Sequence, residues 1–86
     1  MKARVSVRLK PAILDPQGKA VLHAAQQLGY KEITSVRVGK LIELEIDAVD
    51  EKSVKLRVEE LSRKLLSNPL METFNITWNS DSEAQN

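Results

Sequence analysis

The side chains able to make or break bonds are few in this chain, and they are scattered. His23 is the only histidine, and there is no cysteine. A protein metal site draws on several such ligands, so His23 alone makes none. An exposed or half-buried helix position is the better reading of it. Glu43 and Glu45 stand two residues apart, and Glu59 and Glu60 are adjacent. Paired carboxylates can divide general acid and general base work, but no partner base is identifiable for either pair. The alternation of Glu43 and Glu45 with Ile42, Leu44 and Ile46 is that of a solvated strand face.

Asp15-Pro16-Gln17-Gly18-Lys19 invites comparison with a phosphate loop. Such a loop needs several glycines before a Lys-Ser/Thr pair, and a helix N-terminus open to the anion. Here Asp15 fills that position with negative charge. The run reads instead as a helix entry. Asp15 accepts a free backbone N–H as the cap, and Pro16 takes the first helical position, where its missing N–H is no loss. Gly18 is then out of place, because glycine inside a helix is worse than alanine by about 1 kcal/mol. A weak helix former in so well-marked an entry implies that something packs close to its backbone, another chain being one candidate. Arg37-Val38-Gly39-Lys40 sets two cations at a predicted hairpin, where they could grip a phosphate or a partner's carboxylate. Ordinary exposed hairpin charges are the plainer account.

The elements that must position these residues follow from periodicity. Arg4-Val5-Ser6-Val7-Arg8-Leu9 alternates strictly, with Val5, Val7 and Leu9 on one face, and predicts a half-buried strand. Residues 16–28 predict a helix with Val21, Ala24, Ala25 and Leu28 as its apolar stripe and Gly29 as its stop. Residues 33–38 predict a second strand. Gly39-Lys40 predicts a two-residue turn with glycine first. Residues 41–46 predict a third strand, with Ile42, Leu44 and Ile46 inward. Asp47 or Asp50 opens a second helix reaching about residue 67, with Val54, Val58, Leu61 and Leu65 as its stripe and Leu66 at the margin. Asn68-Pro69 ends it. Phe74, Ile76 and Trp78 predict a fourth strand, and residues 79–86 a polar, disordered tail.

The expected fold is therefore α+β, in the order β-α-β-β-α-β: one domain over residues 1–78, with an antiparallel sheet and both helices on one face, a ferredoxin-like arrangement. Its first and third strands are neighbours, which brings Arg4 and Arg8 near Glu43 and Glu45 on the helix-free face. Each such pair contributes about 0.2–1 kcal/mol and helps set register.

At 86 residues with three aromatics the core is light, and no disulfide can reinforce it. Association is the remaining route to robust stability, so an oligomer or a subunit of a larger complex is expected. Thirteen basic and twelve acidic side chains give a net charge of +1 without a block of one sign. Composition therefore does not point to nucleic acid or an anionic membrane. The predicted central strands also lack the aromatics on which RNA bases stack. The N-terminus has no apolar run of signal-peptide length and no segment could span a bilayer, so the cytoplasm is the expected location. The residues by themselves describe a small interaction or regulatory module.

Leu9-Lys10-Pro11 followed by Leu14-Asp15-Pro16-Gln17-Gly18-Lys19-Ala20-Val21 resembles the PurS family, the small subunit of phosphoribosylformylglycinamidine synthase. Leu28-Gly29-Tyr30, Val36-Arg37-Val38-Gly39-Lys40 and Leu65-Leu66-Ser67-Asn68-Pro69-Leu70-Met71-Glu72 match in the same order. Ala12 stands where glycine is common in the family. The resemblance implies a part in converting formylglycinamide ribonucleotide to formylglycinamidine ribonucleotide with ATP and glutamine. In that scheme a glutaminase subunit (PurQ-type) releases ammonia, and a large synthetase subunit (PurL-type) uses ATP and magnesium. The small subunit carries no catalytic residue, cofactor or metal. It forms a homodimer or tetramer and bridges the other two. Asp15, Pro16, Gln17, Gly18, Lys19, Arg37, Gly39 and Lys40 become the expected partner-contact residues. A ferredoxin-like regulatory domain that binds a small effector between protomers is the alternative reading, and an RNA-binding domain a second rival.

Overall fold

A computed structural model describes residues 1–47 and 50–79. The alternating N-terminal run forms β1 (Lys2–Leu9), the central strand of a three-stranded antiparallel sheet. Its neighbours are β2 (Lys40–Glu45) and β3 (Glu72–Asn79), giving the order β2-β1-β3. Val5 lies opposite Ile42 on one side and Ile76 on the other. The apolar set thus falls on one face of the sheet, as the period of two requires. Ala3, Val5 and Val7 are buried, and Ile42, Leu44, Phe74, Ile76 and Trp78 are half-buried around them.

Two helices accompany the sheet. Helix α1 (Pro16–Gln27) is followed by Gly29, whose φ of +104° takes the left-handed conformation that ends a helix. Helix α2 (Glu51–Leu61) starts at Asp50, whose side chain accepts the Lys52 N–H at 3.2 Å. It passes into a π turn, Ser62–Leu66. Val54, Val58 and Ser62, spaced four apart, are its buried positions. Val54 and Val58 pack with Ala3, and Met1, Leu44, Ile46, Ile76 and Trp78 surround them. Ser62 is tolerated there because its hydroxyl donates to the Val58 carbonyl at 2.8 Å. Leu61 and Leu65, expected in the stripe, face solvent, because the inward line runs through 54, 58 and 62.

The α+β class and the antiparallel sheet agree with the sequence; three details do not. Residues 33–38 form no strand, so the order is β-α-β-α-β among the described residues. Gly39-Lys40 is no hairpin turn: a turn with glycine first needs a positive φ there, and Gly39 has none. Lys40 is instead the first residue of β2, paired with Val7. An ideal Cβ on Gly39 would lie 2.5 Å from the Val7 carbonyl oxygen, so glycine is required for close approach and not for reversal. Among the described residues α2 alone packs its buried side chains on the sheet; the third discrepancy is α1.

Helix α1 pairs with residues 33–38 to form an arm beside the sheet. Asp15 meets Val38 at one end, and Gln26 donates to the Ile33 carbonyl at 3.2 Å at the other. Eleven helical rises span about 16 Å, and the five residue steps back from Val38 to Ile33 cover about the same distance only if extended. The face of α1 toward this segment holds buried Gly18 and half-buried Leu22 and Ala25. Of the expected stripe, Val21 stays 50% and Leu28 77% exposed.

On the helix-free face, Arg4 pairs with Glu43 (3.5 Å) as expected. Lys2, and not Arg8, meets Glu45 (3.6 Å), because the register sets Lys2 opposite Glu45. The ladder carries β3 to Asn79, opposite Lys2, one residue into the expected tail; residues 80–86 lie outside the described residues.

Candidate functional site

The helix entry and the Arg37 segment, far apart in sequence, come together around one carboxylate. Asp15 is 4% exposed. One of its oxygens accepts the Gly18 N–H at 2.9 Å, the ordinary work of a cap. The other accepts the Val38 N–H at 2.8 Å, which ties the far segment to the start of α1. Arg37 approaches the same oxygen through Nε at 3.9 Å. Its Nη2 donates to the carbonyls of Leu9 (3.2 Å) and Lys10 (3.0 Å) at the end of β1. The Val38 N–H above all, then the Gly18 N–H, holds the Asp15 carboxyl below its ordinary value near 3.8. Burial pushes the other way, and the Arg37 guanidinium adds to the lowering.

Gly18 has a specific reason to be glycine. A Cβ there would collide with the Val36 carbonyl oxygen and would stand 2.7 Å from the Asp15 carboxylate. What packs against this backbone is residue 36 of the same chain. Asp15, Gly18, Arg37 and Val38 therefore make a clasp that joins the end of β1, the start of α1 and the segment entering β2.

The expected contact residues divide along this line. Asp15, Gly18 and Arg37 turn their polar groups or backbone inward to the clasp, and Gly39 lies against β1. Pro16, Gln17, Lys19 and Lys40 are exposed around it. Pro16, Gln17 and Lys40 line a shallow concavity with Val7, Leu9 and Glu72. Sequence reasoning missed the Val38 N–H as the partner of Asp15, since a backbone donor leaves no mark in the residue types. Gly18 was the one available signal of the close approach.

The other candidates for chemistry stay dispersed. His23 is exposed on α1. Glu59 and Glu60 pair with Arg63 (3.4 Å) and Lys64 (3.7 Å) one turn on. Among the described residues no cluster of three His, Cys, Asp or Glu side chains could hold a metal. None of their helices is long and apolar enough to cross a membrane.

The chain matches the family described as "PurS: Phosphoribosylformylglycinamidine (FGAM) synthase" over residues 2–80. It belongs to the PurS family. The PurS subunit of phosphoribosylformylglycinamidine synthase from Bacillus subtilis is 42% identical over 73 residues, 85% of this chain and 86% of that one. The corresponding Synechocystis subunit is 41% identical over 71 residues, 83% and 71% of the two chains. A crystal structure of Bacillus subtilis PurS superposes with a TM-score of 0.82 at 39% identity, covering 92% of this chain and 98% of that one. A chain in the structure of PurLQS from Thermotoga maritima shares the fold, with a TM-score of 0.81 at 24% identity over 88% and 93%. As a PurS-family member the chain is a small subunit of FGAM synthase, an enzyme of purine biosynthesis. The helix-entry clasp lies within the matched region.

Proposed function

We propose that this chain is the non-catalytic bridge of an FGAM synthase complex. It associates with copies of itself and holds a PurL-type synthetase and a PurQ-type glutaminase in register. ATP and magnesium serve the large subunit, and this chain binds neither. The assembly works in the cytoplasm.

The observation that carries this reading is the arm. Val21 and Leu28 on α1, with Tyr30 just beyond it, are half or more exposed, while the clasp fixes the helix that bears them. Among the described residues five apolar side chains are buried: Ala3, Val5, Val7, Val54 and Val58. A helix face left uncovered on a rigid mount, beside so small a core, is a surface for another chain. Copies of this chain supply the first such cover, as a homodimer or a tetramer. The exposed rim of Gln17, Lys19 and Lys40 then contacts the larger subunits.

Coupling is the purpose of such a bridge. Ammonia released at one active site is protonated or lost to solvent unless the second site is held close. A fixed assembly makes its transfer resemble an intramolecular step. The rival RNA-binding reading needs a basic sheet face, whereas Lys2 and Arg4 on that face are matched by Glu45 and Glu43. The test is assembly. Mixed with the synthetase and glutaminase of its own source, the chain is expected to co-elute with both as one complex. Separate elution of all three under turnover conditions would overturn the proposal.

A further inference from the structure

We propose that the helix-free face of the sheet binds a phosphate group, free or as the monoester of a small metabolite, at Arg8 with Ser6, Thr73 and Asn75. This site is separate from the bridging role and does not rest on it.

The first argument is charge. Lys2, Arg4 and Arg8 stand an even number of residues apart on β1 and so share this face. Lys2 and Arg4 are matched by Glu45 and Glu43. Arg8 is not. The ladder to β2 ends with Val7 opposite Lys40, and the residue before Lys40 is Gly39, which has no side chain to offer. On its other side Arg8 lies opposite Thr73. Glu72, next to Thr73, falls on the opposite face with Phe74 and Ile76. Its carboxylate accepts the Asn68 N–H at 2.7 Å. Among the described residues the Arg8 guanidinium has neither an ion-pair nor a hydrogen-bond partner. Lys10, two residues on, adds a second positive charge at this end of the sheet.

The second argument is how the guanidinium is carried. An ideal Cβ on Gly39 would stand 2.8 Å from the Arg8 Cγ. The aliphatic stem of Arg8 therefore lies over bare backbone, where a side chain at 39 would push it aside. A stem already packed leaves less freedom to lose when an anion fixes the head.

The third argument is the set of donors around it. Arg8 is opposite Thr73, and Ser6 is opposite Asn75, across β1 and β3. Residues two apart on a strand share a face, so the four side chains form a rectangle of about 5 by 7 Å. They line one concavity of about 350 Å³, with Phe74 between Thr73 and Asn75. That is room for a small ligand. Two hydroxyls, an amide and the guanidinium fork put a donor at every corner, and no carboxylate is among the lining residues. A planar carboxylate is satisfied by the fork alone. A phosphate has oxygens for the fork and for the hydroxyl and amide corners as well.

The test is a titration of the full chain, isotope-labelled for NMR, at fixed ionic strength. Amide resonances are followed as inorganic phosphate, glycerol phosphate or acetate is added. Saturable shifts at Ser6, Arg8, Thr73 and Asn75 are expected with both phosphates and not with acetate. Tighter binding of glycerol phosphate assigns the site to a monoester, and equal or weaker binding assigns it to the free ion. Arg8→Gln is expected to weaken binding by about tenfold or more, and Thr73→Val by roughly a few-fold. Both side chains are exposed, so the melting curve of each variant should stay close to the parent's. No saturable shift at these four residues, equal shifts with acetate, or undiminished binding by Arg8→Gln would overturn the proposal.

Discussion

Gly18→Ala is expected to weaken the fold, although the same change in an open helix strengthens it. Alanine in an unobstructed helix gains about 0.5–1 kcal/mol over glycine. At this site the new methyl meets the Val36 carbonyl oxygen and comes within 2.7 Å of the Asp15 carboxylate. Neither neighbour can retreat freely. Asp15 is held by the Gly18 and Val38 amides, and Val36 lies two residues from that anchored amide. Relief therefore requires α1 to move away from residues 33–38, which loosens the clasp. Forced overpacking of this kind costs about 1–3 kcal/mol, leaving a net loss of up to ~2.5 kcal/mol, centred on about 1, after the helix gain. For a domain of this size that lowers Tm by roughly 4–8 °C per kcal/mol. Urea unfolding followed by far-UV circular dichroism measures it, at one fixed chain concentration because association adds to apparent stability. Lys19→Ala, at the exposed next position, is the control and changes stability by a few tenths of a kcal/mol. If Gly18→Ala equals or exceeds the parent in stability, the clasp does not constrain α1 and the reasoning is wrong.

Arg37→Ala removes the donors to the Leu9 and Lys10 carbonyls and is expected to lower stability by about 1 kcal/mol, with faster hydrogen exchange at the Val38 amide. Arg37→Lys should not restore it, because an ammonium cannot reproduce the planar fork; full rescue by lysine would count against the clasp. Because the folded state holds the Asp15 carboxyl below its ordinary value, its contribution is complete above about pH 4 and fades as pH falls through the lowered value. Unfolding free energy measured from about pH 2 to 6 should therefore fall toward acid, and Asp15→Asn should flatten that slope; equal slopes would remove Asp15 from the account. Lys19→Glu combined with Lys40→Glu reverses charge on the exposed rim. It should leave the melting curve of the isolated chain within about 0.5 kcal/mol of the parent and weaken co-elution with the larger subunits. Unchanged assembly would move the partner contact elsewhere.

Much of this molecule is legible from local patterning. The period-two runs located all three strands of the sheet, and Asp15, Pro16 and Gly29 marked both ends of α1, because caps and alternation are properties of neighbouring residues. Residues 33–38 misled because Val36 and Val38 alternate like strand residues while their backbone is committed elsewhere. The Val38 N–H goes to Asp15, 23 positions away, and such long-range capture leaves no periodic trace. Gly39 misled for a related reason. Glycine serves both sharp reversal and close approach, and only the packing on Val7 distinguishes them. The expected stripe of α1 is not its inward line: of Val21, Ala24, Ala25 and Leu28 only Ala25 turns inward, with Gly18 and Leu22, because periodicity reports that a face must be covered without saying whose atoms cover it. For the candidate site, the sequence identified the two segments and left their relation open. Arg37 looked like a free cation at a hairpin tip and is instead part of the clasp.

The central claim is that this chain couples two larger active sites and makes no bond itself. It is tested most directly by turnover of the reconstituted synthetase and glutaminase, with glutamine or with free ammonia, in the presence and absence of this chain. The account predicts that glutamine-dependent formation of formylglycinamidine ribonucleotide requires the chain while ammonia-dependent formation depends on it far less. Equal glutamine-dependent rates with and without the chain would contradict it.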